Sequence, residues 1–230
     1  MRKAAIILIG LGILVVVAGQ TYLSWQTEPE RPVVANKATL RNTESGTVVG
    51  FIDKLGARSW QGIPYAEPPV GQQRWRAPQP PIASQTTIEA LQPGAICPQF
   101  ASLLSGADEQ TPSGQIAGNE DCLYLNIWSP PNAAKLPVML WIHGGGNTIG
   151  HGGSYNGAAL ATQRNVVIVT INYRLGIFGW FSHPDLLTGD KLDDSGNYGT
   201  LDVVRALEWV QGNIEVFGGD PGNVTVFGES

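Results

Sequence analysis

The sequence predicts an α/β protein, a parallel sheet with right-handed crossovers, on three observations. Two runs of strand length, 138–142 (Val-Met-Leu-Trp-Ile) and 166–171 (Val-Val-Ile-Val-Thr-Ile), are apolar on both faces and fit central strands of a covered parallel sheet. Val203, Leu207, Val210, Ile214 and Phe217 recur at spacings of four and three, one apolar stripe along a helix. A last β-branched run, Val224-Thr225-Val226-Phe227, comes after that helix, so strands alternate with helices.

The elements follow in chain order. Arg2 and Lys3 precede a continuous apolar run, 4–19, that is long for a signal-peptide core and slightly short for a spanning helix. Val17-Ala18-Gly19 offers a small-residue cleavage site, whereas Tyr22 and Trp25 suit the interface of a retained helix. Residues 1–25 are therefore expected to be a signal-anchor or a signal peptide. Either one brings the chain to a membrane and sends the remainder across it, to a periplasm, a cell surface or a secretory lumen. Residues 26–38, polar with Pro29 and Pro32, read as a tether, and the folded domain is expected over 39–230.

In that domain Thr47-Val48-Val49-Gly50-Phe51 and Ala57-Arg58-Ser59-Trp60 predict a small β-hairpin closed by Asp53-Lys54-Leu55-Gly56. Pro64, Pro68, Pro69, Pro78, Pro80 and Pro81 then exclude regular structure from most of the stretch they punctuate. Leu123-Tyr124-Leu125-Asn126-Ile127-Trp128 predicts a strand stopped by Pro130-Pro131, and 158–163 a short helix. Gly218-Gly219 closes the long helix, and Asp220-Pro221-Gly222-Asn223 turns the chain into the last strand. Asn223-Val224-Thr225 fits a glycosylation sequon, but it leads into a strand expected to be buried.

A formal charge of −5, with no basic run of five or more residues, excludes a nucleic-acid surface. Cys97 and Cys122 are an even pair that an oxidising compartment lets bridge, which stabilises by roughly 3–4 kcal/mol in the chain-entropy model. The alternative is two unrelated buried thiols.

Two stretches carry chemistry. His143-Gly144-Gly145-Gly146 comes directly after the strand ending at Ile142, and consecutive glycines let backbone N–H groups approach a bound atom without side-chain obstruction. A glycine-rich turn is the plain alternative. A dinucleotide fingerprint at Gly144, Gly146 and Gly150 fails twice. His151-Gly152-Gly153 stands where a long helix should open, and the next strand ends in Asn172-Tyr173-Arg174 rather than an acid. No cofactor and no metal is expected. The second stretch is Gly228-Glu229-Ser230, a strand running into Gly-x-Ser, the first half of a nucleophile elbow.

These residues resemble the type-B carboxylesterase family. The resemblance rests on 120–130 (Glu-Asp-Cys-Leu-Tyr-Leu-Asn-Ile-Trp-Ser-Pro), 141–146 (Trp-Ile-His-Gly-Gly-Gly), 172–176 (Asn-Tyr-Arg-Leu-Gly), 217–221 (Phe-Gly-Gly-Asp-Pro) and Gly228-Glu229-Ser230, in family order. It implies an α/β-hydrolase fold, truncated after the nucleophile-elbow strand, and a serine hydrolase acting on small-molecule carboxylic esters. Ser230 is then the nucleophile, and Gly145 and Gly146 supply two oxyanion-hole amides, the third coming from the residue after the serine. Cys97 and Cys122 match the family's Ω-loop disulfide. His143 belongs to the oxyanion loop, and His151 and His183 match no triad position.

The family's acid and histidine come after the serine, so the chain as given is expected to be inactive alone, with its last strand an uncovered apolar edge. Asn147 departs from the family, which often has an aromatic or small apolar residue there. The disulfide loop holds Phe100 as its single aromatic and no tryptophan, which argues against choline esters. A non-catalytic adhesion or binding module of the same fold is the alternative function. No oligomeric state is implied.

Overall fold

The computed structural model describes residues 32–108 and 110–229. The chain divides into two units, Met1–Val33 and Val34–Ser230. Of the first, Pro32 and Val33 are described; both are exposed and without regular structure. The targeting segment 1–25 lies outside the described residues, as does Ser230. Among the described residues no helix is long and apolar enough to cross a membrane.

The strands are β1 (Arg41–Thr43), β2 (Gly46–Val49), β3 (Phe51–Ile52), β4 (Arg58–Pro64), β5 (Ile88–Glu89), β6 (Gln99–Phe100), β7 (Ile116–Ala117), β8 (Tyr124–Ser129), β9 (Leu136–Ile142), β10 (Val167–Ile171) and β11 (Gly219–Gly228). The helices are α1 (Ala158–Arg164), α2 (Gly176–Gly179) and α3 (Tyr198–Asn213). The main sheet has six strands in the order β11-β9-β10-β8-β4-β3. β1, β2 and β5 form a small sheet, and β6 pairs with β7.

The sheet is mixed, not parallel throughout. β11, β9 and β10 run parallel, but β8 opposes β10, and β4 opposes β8. Link length decides this: residues 130–135 join β8 to β9 with no room for a crossover element, so the chain must reverse. β10, reached through α1, then inserts between them.

Packing obeys the period of two along each strand. Val167, Val169 and Ile171 share one core with Leu125, Ile127, Val138, Leu140 and the α3 residues Trp209 and Val210. Ile168 faces the other way, with Trp128 and with Ala158 and Ala161 of α1. Both faces of β10 are therefore covered, and all five of its residues are buried.

Three expectations are corrected. The strand expected over 47–51 breaks at Gly50, sending β2 to the small sheet and β3 to the large one. A Cβ at Gly50 would lie 2.0 Å from the Ser59 carbonyl oxygen and 2.7 Å from the Trp60 ring. The inward face of α3 is rotated from the expected stripe: Asp202, Arg205, Ala206, Trp209 and Val210 are buried, while Val203 and Leu207 only flank the core. The helix also begins earlier, at Tyr198, and gives way at Ile214 to a 3-10 turn that ends on Gly218 at φ +89°. Finally, the turn expected at 220–223 lies within β11 as a bulge: Gly219 opposes Leu136, and Val224 opposes Val138. The skipped residue on β9 is Pro137, which has no N–H to offer a ladder. Among the described residues β11 is one of the two edge strands of the main sheet, and Asn223 and Thr225 are exposed rather than buried.

Asp202 is buried because it meets Arg174, at the end of the segment leaving β10. Arg174 Nε and Nη2 donate to the carboxylate at 2.8 and 2.7 Å, and the Arg174 backbone N–H donates at 3.0 Å. The guanidinium also lies over the Tyr198 ring. Removing one member leaves the other as an unpaired buried charge. Asp202→Ala is therefore expected to lower the unfolding free energy by about 3–5 kcal/mol, read from urea denaturation; a loss under about 1 kcal/mol would show that the pair behaves as a surface one.

Candidate active site

The site begins where β9 ends. Residues 143–146 leave the strand edge in a turn that requires glycine at Gly145. Gly145 has φ +109°, and a Cβ there would lie 2.0 Å from the Ile149 carbonyl oxygen. Its own carbonyl points into the turn, accepting from the N–H groups of Thr148 and Ile149 at 3.0 and 3.2 Å. Gly146 has φ +58° and no heavy atom within 4 Å of a notional Cβ, so its side faces open space. Asn147 continues the left-handed run at φ +61°, and its carbonyl accepts from Gly176 N–H at 2.7 Å. Among the described residues the N–H groups of Gly145 and Gly146 donate to no acceptor.

His143 holds the base of this turn. It is buried, stacked on Tyr173 with ring centroids 4.4 Å apart, and the Tyr173 hydroxyl donates to the His143 carbonyl at 2.8 Å. Its Nδ1 lies 2.9 Å from the Gly144 carbonyl oxygen, which can only accept, so Nδ1 carries the proton. Nε2 is buried without a partner among the described residues. Burial pushes the imidazole down to about 4, the Gly144 bond opposing this and the His151 ring adding slightly to it. His143 is a neutral prop of the loop.

The chain approaches the same place along β11. Gly228 stands opposite Ile142, and Glu229 N–H donates to the Ile142 carbonyl at 3.4 Å. Two strand ends, one opening into the glycine turn and one into Glu229, are thus side by side. The Glu229 carboxylate accepts from the Tyr155 hydroxyl. Burial first, then that bond, pushes Tyr155 up to about 12. Trp141 packs between Tyr155 and Phe227, at 5.0 and 4.8 Å.

A third segment closes the arrangement from the side. Cys97 and Cys122 form a disulfide. Gln99, two residues on, donates to the carbonyls of Cys97 and Gly150 and accepts from Gly150 N–H at 2.8 Å. A Cβ at Gly150, φ +109°, would lie 2.6 Å from His143 Nδ1, so this glycine lets the disulfide loop and the glycine turn meet. Asn172 adds a second stitch, donating to the Ala95 carbonyl and accepting from Gly152 N–H.

Of the residues singled out from sequence, Gly145 and Gly146 fall in one turn and Cys97 and Cys122 bond beside it; Ser230 lies outside the described residues. His151 Nε2 meets Ser154 Oγ at 2.7 Å, and His183 accepts from Asp185 N–H. Tyr173, Gln99 and Tyr155 had no assigned role. A signal for Tyr173 existed: β9 and β10 are parallel neighbours with Ile142 opposite Ile171, so the loops leaving the two strands must converge.

A sheet whose central strand β10 is covered on both faces, with a glycine-rich turn where parallel strands end, is the class of site that this α/β fold defines. The chain belongs to the carboxylesterase family, whose model matches residues 37–230. It is 48% identical over 191 residues to the para-nitrobenzyl esterase of Bacillus subtilis (82% of this chain, 37% of that protein). It is 47% identical over 196 residues to the fumonisin B1 esterase of Sphingopyxis macrogoltabida (83% and 34%). Among solved structures, a PNB esterase superposes with TM-score 0.74 at 45% identity, covering 84% of this chain and 39% of the other. A carboxylesterase of Geobacillus stearothermophilus superposes with TM-score 0.70 at 42% identity, covering 84% and 38%. The chain thus spans little more than a third of the length of these relatives.

Because His143 folds neutral, the unfolded chain binds the extra proton between its ordinary value near 6.5 and about 4. The stability this contributes is complete above pH 6.5 and lost as pH falls toward 4. His143→Phe, which keeps an aromatic face for Tyr173, should flatten that acid limb by on the order of 3 kcal/mol. Urea midpoints across pH 4–7 check this, and an unchanged slope refutes it.

Proposed function

We propose that this chain carries the nucleophile and two oxyanion donors of a serine carboxylic ester hydrolase. Ser230 attacks the carbonyl of a small-molecule ester, giving an acyl-enzyme that water then hydrolyses. The charge that develops on the carbonyl oxygen is met by the N–H groups of Gly145 and Gly146, and by the amide after Ser230. The observation that carries this reading is the pair of unengaged amides on an open turn, directly beside the strand end that leads to Ser230. The esterases among its relatives support it.

The proton acceptor is another matter. His143 is buried with its Nδ1 proton committed to Gly144, His151 is held by Ser154, and His183 caps an exposed turn. None suits a general base, so base and acid come from outside these residues, consistent with relatives far longer than this chain. Phe100 is exposed, so the disulfide loop turns no ring inward for a quaternary ammonium group. The Cys97–Cys122 bond supports an oxidising compartment, reached through an apolar segment at 4–19 that serves as anchor or signal.

A fluorophosphonate probe on the full-length protein should label Ser230, and Ser230→Ala should abolish labelling. Absence of labelling on the parent protein favours a binding module instead. Gly146→Ala adds a methyl on the open side of the turn at a left-handed position, costing about 1–2 kcal/mol of stability. It keeps the Gly146 N–H but sets a methyl in the open space where the carbonyl oxygen must approach, and should cut kcat by up to about 10²-fold, toward the cost of a displaced oxyanion donor, with KM little changed. An equal effect on KM alone would place Gly146 in ground-state binding.

A further inference from the structure

The end of the sheet opposite the glycine turn carries a pocket that the ester chemistry does not use. It is a cavity of about 250 Å3 whose wall includes Arg41, Arg58, Lys135, Glu215, Val216 and Phe217. Its place is set by topology. Lys135 immediately precedes β9, and Arg58 is the first residue of β4, which runs in the same direction as β9 because it opposes β8, which opposes β10. Both cations therefore stand at the end where these strands begin.

Three cations face one carboxylate here, on a chain whose formal charge is −5. Arg41 is already occupied: it donates to the carbonyls of Ala38 and Leu40 and lies over the Trp60 ring. Its burial, and then the charge of Arg58, lower its affinity for its proton, so the two guanidinium groups repel without a shared counter-ion. Neither Arg58 nor Lys135 has an ion pair or side-chain hydrogen bond among the described residues. Lys135 is also held at φ +53°, a conformation in which glycine would sit without strain. Glu215 can neutralise one of the three cations; two remain.

We propose that this pocket binds a phosphate-bearing anion, a doubly charged tetrahedral oxyanion held by Arg58 and Lys135 with Arg41 behind them. The donors arrive from three separate chain segments, and a tetrahedral oxyanion presents acceptor oxygens in more directions than a planar carboxylate does. The exposed Val216 side chain leaves an apolar wall for an organic substituent. A soluble phosphate ester and an anionic lipid headgroup share this chemistry.

Thermal unfolding of the full chain in chloride and in inorganic phosphate, at matched ionic strength, tests it on the parent, Arg58→Ala, Lys135→Gly and the double variant. Phosphate at about 10 mM should raise the parent midpoint by roughly 2–4 °C, each single variant should show a smaller rise, and the double variant none. In chloride alone Lys135→Gly should melt no lower than the parent, since it relieves the left-handed residue, which shows that lost binding is not lost folding. Co-sedimentation with phosphatidylglycerol vesicles but not phosphatidylcholine vesicles, lost in the double variant, assigns the anion to a lipid headgroup. A phosphate shift without vesicle binding assigns it to a soluble phosphate. The proposal is overturned if neither probe binds the parent, or if the double variant responds as the parent does.

Discussion

The parallel ladder of β9 with β10 and β11 is the constraint on which the site depends. Ile142 is level with Ile171 on one side and with Gly228 on the other. Parallel strands end at a common edge, so three loops distant in sequence must leave the sheet together. The glycine turn, the Asn172-Tyr173-Arg174 segment and the Gly228-Glu229 terminus meet for that reason alone. A slip of one residue in either pairing would turn every side chain to the opposite face. Register is protected because Val138 and Leu140, with Val167 and Val169, fill the same core under α3.

Ladder geometry brings the loops close; buried polar contacts decide how each is turned. Arg174 is tied to α3 by Asp202, Tyr173 holds the His143 carbonyl, Asn172 joins the 95 and 152 segments, and Gln99 couples the disulfide to Gly150. Such groups are costly to bury unless paired, and each pairing admits one loop path. Gly145 and Gly146 can leave their amides unengaged because the surrounding backbone is committed elsewhere. For the proposed ester chemistry, preorganisation consists of this: bare donors in a frame with little freedom to fold back on them.

How much of this was legible in the sequence divides along physical lines. Continuous apolar runs announced β9 and β10, and the glycine triplet announced a turn, because burial on both faces and left-handed backbone each restrict residue type strongly. Strand direction was not legible from β8, whose composition suits either sense; the brevity of 130–135 decides it. Val203 and Leu207 drew the inward face of α3 to the wrong side, because a buried Asp202 looks polar until its partner Arg174 is known. Arg41, Arg58 and Lys135 obey no period and lie on three separate segments, so only the fold assembles their pocket.

On the two proposals made above, the ends of the sheet use different chemistry for negative charge, and the difference reflects how long the charge lasts. An oxyanion formed in acyl transfer exists only near the transition state, so a donor that bound the ground state equally well would gain nothing in rate. Neutral peptide amides suit so brief a charge. They are dipoles fixed by the turn at Gly145 and Gly146, with little attraction for ions at rest. A permanent anion calls for permanent cations, which the opposite end supplies in Arg58 and Lys135. Guanidinium and ammonium groups at the glycine turn would hold resident anions and block it. The length of strand between them lets both arrangements coexist on a chain of net negative charge, with each confined to the edge where its strands end or begin.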